Sequence, residues 1–157
     1  MYLLNVVYEK NKGVKVVEQL GFGGCRLSIA VVRGEQYNNI QSLEGRRIAT
    51  SYPHLTRQFL KRNKVNAEIH EISGSVEIAP GIGLSDAICD LVSSGSTLLT
   101  NGLKEVETIL QSQAVLIRHN SFDAVQQQVL DKLLFRIHAV RKAKNNKYIL
   151  LNAPNNK

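Results

Sequence analysis

Glu77–Leu98 reads EIAPGIGLSDAICDLVSSGSTL, and the stretch Asp86–Val92 (DAICDLV) within it decides the fold class. It is a short apolar run bounded by turn residues, the pattern of a strand buried on both faces. It leads directly into Ser93–Thr97 (SSGST), a polar loop, and then into a helical turn over Leu98–Gly102. The same order recurs upstream. Leu27–Val32 (LSIAVV) is another buried-type strand, and Arg47–Thr50 (RIAT) a third. After Ser51-Tyr52, Pro53 suits a first helical turn, where its missing N–H costs nothing. Leu55, Phe59 and Leu60 then share a face up to a stop at Asn63. Ala67–Ile72 (AEIHEI) alternates apolar and polar residues as a half-buried strand does. Gly74-Ser75 opens a short helix with Glu77 in its first turn, ended by Pro80-Gly81, and Val106–Arg118 holds one more strand, clearest at Ala114–Arg118. Strands alternating with helices at this spacing predict α/β layers around a mostly parallel sheet.

Beyond Ser121 the period changes. Phe122, Val125, Val129, Leu133, Ile137 and Val140 recur at steps of three and four and form one stripe of a long helix. Ser121 is its expected cap and Asp123 suits the first turn. Asn145-Asn146 breaks the helix, and Lys147–Leu151 (KYILL) reads as a last strand. The first twenty residues carry only a weak helix-like pattern. Neither end looks like the end of a domain, so Met1–Leu20 and Ser121–Lys157 are expected to belong to a layer whose partners lie elsewhere.

Composition narrows the function classes. The chain has 157 residues, 43% of them hydrophobic and 21% charged, the mix of a globular protein. No apolar run approaches the ~20 residues of a membrane span, and the start has no signal-peptide pattern. A cytoplasmic protein without a membrane partner is expected. Cys25 and Cys89 read as two buried free thiols, and His54, His70, His119 and His138 have no metal-ligand spacing. The net charge of +7 is concentrated at Lys132, Arg136, Arg141, Lys142, Lys144 and Lys147. With few aromatics among them, this reads as a solvated helix face, cations favoured in its last turn, and no nucleic-acid partner is expected.

The chemistry lies in the loop. Gly95 permits a backbone turn that brings amides close to a ligand. The hydroxyls of Ser94, Ser96 and Thr97 can donate to phosphate oxygens, and the following helix offers free N–H groups. In parallel sheets, ligands sit outside the carboxyl ends of strands, where this loop lies. Asp90 and Asp86 are read as acceptors near the same edge, as ribose hydroxyls require. On its own, SSGST reads equally as a polar turn capping a helix. It lacks the lysine of a Gly-x-x-x-x-Gly-Lys loop, which argues against a nucleoside triphosphatase.

The spacing Glu77, Gly83, Ser85, Ile88, Asp90-Leu91, Ser94-Gly95, Thr97-Leu98 resembles the identifying motif of the ATP phosphoribosyltransferases, which join ATP to phosphoribosyl pyrophosphate in the first step of histidine biosynthesis. FGGCRLSIAV at 22–31, GRRIATSYPHL at 45–55, TNGLKEVETI at 100–109 and NKYILLNAP at 146–154 resemble the same family. The resemblance implies a fold of two α/β lobes arranged like a periplasmic solute-binding protein. Residues 22–119 would form the second lobe, residues 1–21 a remnant of the first, and residues 120–157 a helix and strand returning to it. By the same resemblance Asp90, with Asp86 a weaker candidate, would hold the ribose hydroxyls. Ser93, Ser94, Gly95, Ser96 and Thr97 would cradle the 5-phosphate, and Ser51-Tyr52 would lie near the nucleotide, where Tyr52 could stack on a purine or simply cap the core. Mg2+ would come bound through the substrate pyrophosphate. The family forms homo-oligomers. The N-terminal part of the first lobe and the regulatory domain of long members have no counterpart in this chain, so turnover by it alone is not expected. The alternative is a non-catalytic anion- or solute-binding module of the same lobe architecture.

Overall fold

The computed structural model describes residues 2–10, 13–144, 146–147 and 149–150. The chain divides into two units, Met1–Arg118 and His119–Lys157. The first holds β1 (Tyr2–Leu3), α1 (Leu4–Lys10), β2 (Val14–Gln19), β3 (Cys25–Val32), β4 (Arg47–Thr50), α2 (Pro53–Arg62), β5 (Glu68–Glu71), β6 (Ala87–Val92), α3 (Ser96–Thr100), β7 (Leu103–Ser112) and β8, which begins at Ala114 and ends at His119. Short 3-10 turns cover Ile40–Leu43 and Val76–Ile78.

The large sheet has the order β5-β4-β6-β3-β7. β4 is parallel to both β5 and β6, whereas β3 is antiparallel to β6 and to β7. Four of the five strands therefore point one way and β3 alone runs against them, a mixed sheet with helices on its faces. β6 is central, and its alternate residues serve two cores. Ala87 and Cys89 join Leu27, Ile29, Ile48 and Leu55 on one face. Ile88 and Val92 join Ala30, Ala49, Val76 and Leu98 on the other. Burial on both sides is why DAICDLV is apolar almost without a break.

α2 packs on the first face. Pro53 stands at its start as the sequence indicates, and Asn63 closes it. Its capping group comes from elsewhere: the Glu9 carboxylate accepts from the His54 and Leu55 amides at 2.7 and 2.8 Å. An anion there offsets the helix dipole by about 0.3–1 kcal/mol.

The structure departs from the sequence reading in four places. Helix before Leu20 is confined to Leu4–Lys10, and Val14–Gln19 is a strand. β1, β8 and β2 form a separate three-stranded sheet, so the chain leaves the large sheet at Gln113. There the two connections run side by side, Leu20 N donating to Ala114 O at 2.8 Å and Ala114 N to Phe22 O at 2.9 Å. Second, Leu103–Ser112 is a full strand at the sheet edge rather than a lead-in to the next. Register shifts against β3, between Leu27 and Ser28 and between Ile29 and Ala30, break the alternation that would have revealed it.

The other two departures fall in the second unit. Its helix α4 (Ala124–Lys144) is the expected one, but Asp123 rather than Ser121 caps it. Gln126 N donates to Asp123 Oδ1 at 2.7 Å and Asp123 N to Gln126 Oε1 at 3.0 Å, a reciprocal capping box. Most of its apolar stripe is exposed, Val125, Val129 and Val140 by 63–70%, and Leu130 is its buried residue. The expected final strand is absent at Lys147, Ile149 and Leu150. Tyr148 and Leu151 lie outside the described residues.

Both cysteines are free, Cys89 buried and Cys25 only half-buried at the start of β3. Burial pushes the Cys89 thiol up to about 12, so almost no nucleophilic thiolate exists at neutral pH. Thiol labelling of the native protein is expected to modify Cys25 and spare Cys89 until denaturant unfolds the sheet; prompt native labelling of Cys89 would contradict this core.

Candidate phosphate and sugar site

β4 and β6 run parallel, pairing Ile48 with Ala87 and Thr50 with Cys89. The segments that follow them therefore leave the sheet at one edge: Ser51-Tyr52 after β4, Ser93–Thr97 after β6. The Thr50 hydroxyl donates to Cys89 O at 2.7 Å and accepts from Tyr52 N at 2.9 Å, locking the two strand ends together.

Asp90 has the parity of Ile88 and Val92, which places it on the second face of the sheet. It lines a pocket of about 150 Å³ with Glu77, Ser93, Ser94, Gly95 and Thr97. Gly95 holds φ 82° and ψ −1° and is the cap of α3, so the chain turns there through the left-handed region that a side chain disfavours. The Ser94 and Ser96 hydroxyls lie 2.9 Å apart, and Ser96 N donates to Ser94 Oγ at 3.4 Å. In the first turn of α3 the Thr97 and Leu98 amides have no helical acceptor. Arg26 anchors the loop from β3: its Nη1 donates to Ser93 O at 3.1 Å while its other nitrogens grip Glu105.

The Asp90 carboxyl is held above its ordinary value. Burial is the main cause and the Glu77 charge adds to it, against the 2.7 Å hydrogen bond accepted from Leu91 N. A desolvated carboxylate with a second acid beside it is costly to the fold, the kind of environment in which functional carboxylates are found.

The expected residues thus fall into four groups, Asp86 standing apart from the rest. Asp90, Ser93, Ser94, Gly95 and Thr97 come together in one pocket. Ser96 is in the same loop but not in the pocket lining, its hydroxyl engaged with Ser94. Ser51 and Tyr52 stand at the same sheet edge, though both have local work. The Ser51 hydroxyl donates to Ile72 O at 2.7 Å, and half-buried Tyr52 packs against the first core.

Asp86 is a correction. It precedes β6, four residues before Asp90, which at ~3.3 Å per residue places it about 13 Å away toward the opposite edge. There it accepts from Arg47 Nη2 at 2.7 Å, Arg47 Nε at 3.2 Å and Arg47 N at 2.9 Å. The guanidinium, which also donates to Gly83 O at 2.9 Å, holds the Asp86 carboxyl down at about 2. It is a strand-to-strand tie, not an acceptor beside the loop. Sequence reasoning left Glu77 without a role and missed Arg26. Only the register that sets Arg26 opposite Val92 could have placed the arginine beside Ser93.

The first unit is thus an α/β lobe with a hydroxyl-rich glycine loop and a carboxylate at the carboxyl end of its central strand. The family model for ATP phosphoribosyltransferase matches residues 4–139, and the chain belongs to that family. The ATP phosphoribosyltransferase of Cytophaga hutchinsonii is 54% identical over 150 residues, 96% of this chain and 52% of that protein. The one from Bacteroides thetaiotaomicron is 50% identical over 153 residues, 98% of this chain and 54% of its own length. The chain thus spans about half the length of the curated relatives it matches. Among solved structures, the ATP phosphoribosyl transferase HisG:HisZ complex from Thermotoga maritima gives a TM-score of 0.75 at 25% identity, covering 90% of this chain and 68% of that one. A substrate-binding protein of an amino-acid transporter gives 0.64 at 14% identity, covering 87% of this chain and 61% of that one, which is a likeness of fold alone.

Two measurements check the electrostatics. Asp90→Asn is expected to leave the melting temperature unchanged or raise it, because it removes a desolvated charge; a clear loss would mean that the carboxylate serves the fold. Asp86→Ala should cost about 1–2 kcal/mol at neutral pH. The folded pKa of Asp86 lies below its ordinary 3.8, so the stabilisation is present above that value and lost as pH falls toward 2. Denaturation curves of wild type and variant should converge in that window.

Proposed function

We propose that this chain is the phosphoribosyl pyrophosphate-binding part of an ATP phosphoribosyltransferase catalytic region. The observation that carries it is the joining of Asp90 and the Ser93–Thr97 loop in one pocket at the carboxyl end of β6. About 150 Å³ is small against the ~300–1,000 Å³ of ordinary ligand sites, so the pocket suits the ribose 5-phosphate end of the substrate. The 5-phosphate takes the amides and hydroxyls of Ser93, Ser94, Gly95 and Thr97, and Asp90 accepts from ribose hydroxyls. Ser51-Tyr52, at the same edge, lies toward the purine. Mg2+ bound through the substrate pyrophosphate would neutralise that leaving group, and Asp90 and Glu77 are the carboxylates whose hard oxygens would face it.

The reaction of the family is a displacement. N1 of the adenine forms a bond to the ribose anomeric carbon while the bond to pyrophosphate oxygen breaks, through an oxocarbenium-like transition state. The residues here act by positioning and by charge rather than as an acid or base. Residues 1–21 and 120–157 are read as parts of the first lobe. The separate small sheet supports this for residues 1–21, although it also takes in β8, which lies within the 22–119 span read as the second lobe. Because the chain spans half of its relatives, binding without turnover is the outcome proposed for it alone, in the cytoplasm, with homo-oligomers formed by whole members of the family. A plain solute-binding module is the weaker reading, since an anion binder needs no carboxylate beside its phosphate loop.

Titration with phosphoribosyl pyrophosphate and Mg2+ tests this. Asp90→Ala and Thr97→Ala should each weaken binding by about tenfold or more, the worth of a hydrogen bond to a charged group. Equal affinity in wild type and both variants would remove the site, and product formed from ATP by the chain alone would remove the claim that it only binds.

A further inference from the structure

A second concavity of the first unit is larger than the pocket at the loop. It lies on the opposite face of the large sheet, against the core that contains Leu27, Ile48 and Leu55, and encloses about 420 Å³. Its floor is apolar, built from Leu55 and Phe59 of α2 with Ile109 and Leu110 of β7, and Tyr8 of α1 forms a further wall. Its polar groups come from one stripe of α2. His54, Gln58 and Arg62 stand at steps of four, about 12 Å from end to end at 1.5 Å per residue.

Three features make this more than a gap between elements. The volume is within the ~300–1,000 Å³ range of small-molecule sites. No carboxylate is among the lining residues, and the nearby Glu9 carboxylate is turned onto the amides at the head of α2. Among the described residues, the side chains of His54, Gln58 and Arg62 make no hydrogen bond or ion pair, whereas Arg26, Arg46 and Arg47 each hold a carboxylate. A guanidinium left without an anion beside two aromatic rings and an aliphatic floor complements one chemistry: a planar ring that stacks or packs, carrying an anionic group.

We propose that this pocket is a second ligand site, for an aromatic anion: the ring lies on Leu55, Phe59, Ile109 and Leu110 beside Tyr8, the anion meets Arg62, and Gln58 donates between them. It is separate from the phosphoribosyl loop, whose side chains belong to the other face of the sheet. The site stands whether or not that loop binds phosphoribosyl pyrophosphate.

The test is an amide-resolved NMR titration of the whole chain with phenyl phosphate and with benzoate, the two arms separating a phosphate from a carboxylate anion, with inorganic phosphate and phenol as half-ligands. Saturable shifts at Gln58, Arg62, Ile109 and Leu110 are expected with at least one aromatic anion. Arg62→Gln, which keeps the exposed helix surface, should weaken that binding by about tenfold, while Ser94→Ala leaves it unchanged. Absence of saturable shifts at these amides, equal affinity in Arg62→Gln, or shifts confined to Ser93–Thr97 would each overturn the proposal.

Discussion

The structure depends on β6 being buried on both faces and paired on both edges. Ala87 and Cys89 close one core, Ile88 and Val92 the other, and β4 and β3 flank it as parallel and antiparallel neighbours. A strand confined in this way cannot slip by one residue without exchanging its two sets of side chains. Its end is therefore fixed in space, and Asp90 with the loop after it is held by the rigid part of the molecule. The polar locks at that end, Thr50 to Cys89 O and Arg26 to Ser93 O, act on a frame that hydrophobic burial has already set.

The motif around β6 divides into two physical roles. Its leading part is architectural. Gly83 gives its carbonyl to Arg47, and Asp86 beside it takes the same guanidinium, so the start of β6 is tied to the start of β4. Ser85 is buried with its hydroxyl unpartnered among the described residues, an internal cost that the surrounding packing must offset. The trailing part lines the pocket. Asp90, Ser93, Ser94, Gly95 and Thr97 meet Glu77 around it, where burial raises the cost of ionising Asp90 and the Glu77 charge adds to it. Two aspartates four residues apart thus have opposite environments, one held ionised by an arginine and one pressed toward its neutral form by burial.

The large sheet presents different chemistry on its two sides. The small pocket on the second face carries hydroxyls, amides and acids; the concavity beside α1 on the first face carries aromatics, aliphatics and a guanidinium with no ion-pair partner among the described residues. Glu9 belongs to this division, since by capping α2 it satisfies the helix end that would otherwise attract an anion.

The strands Leu27–Val32, Arg47–Thr50 and Asp86–Val92, the helix from Pro53, and the loop with Asp90 were legible from the residues alone, because each is specified by local pattern: unbroken apolar runs, a proline at a first turn, a glycine among hydroxyls. β7 was not, because its bulged pairing with β3 spoils the alternation that marks a strand. Neither was the small sheet, whose strands gain their identity from partners about a hundred residues distant in sequence. The apolar stripe of α4 was visible, but its period says only that a face exists, not what lies against it. Tertiary structure alone decided that Asp86 serves Arg47 while Asp90 serves the pocket, because the two carboxylates differ in which end of a strand they occupy and in the charges that other strands bring to them.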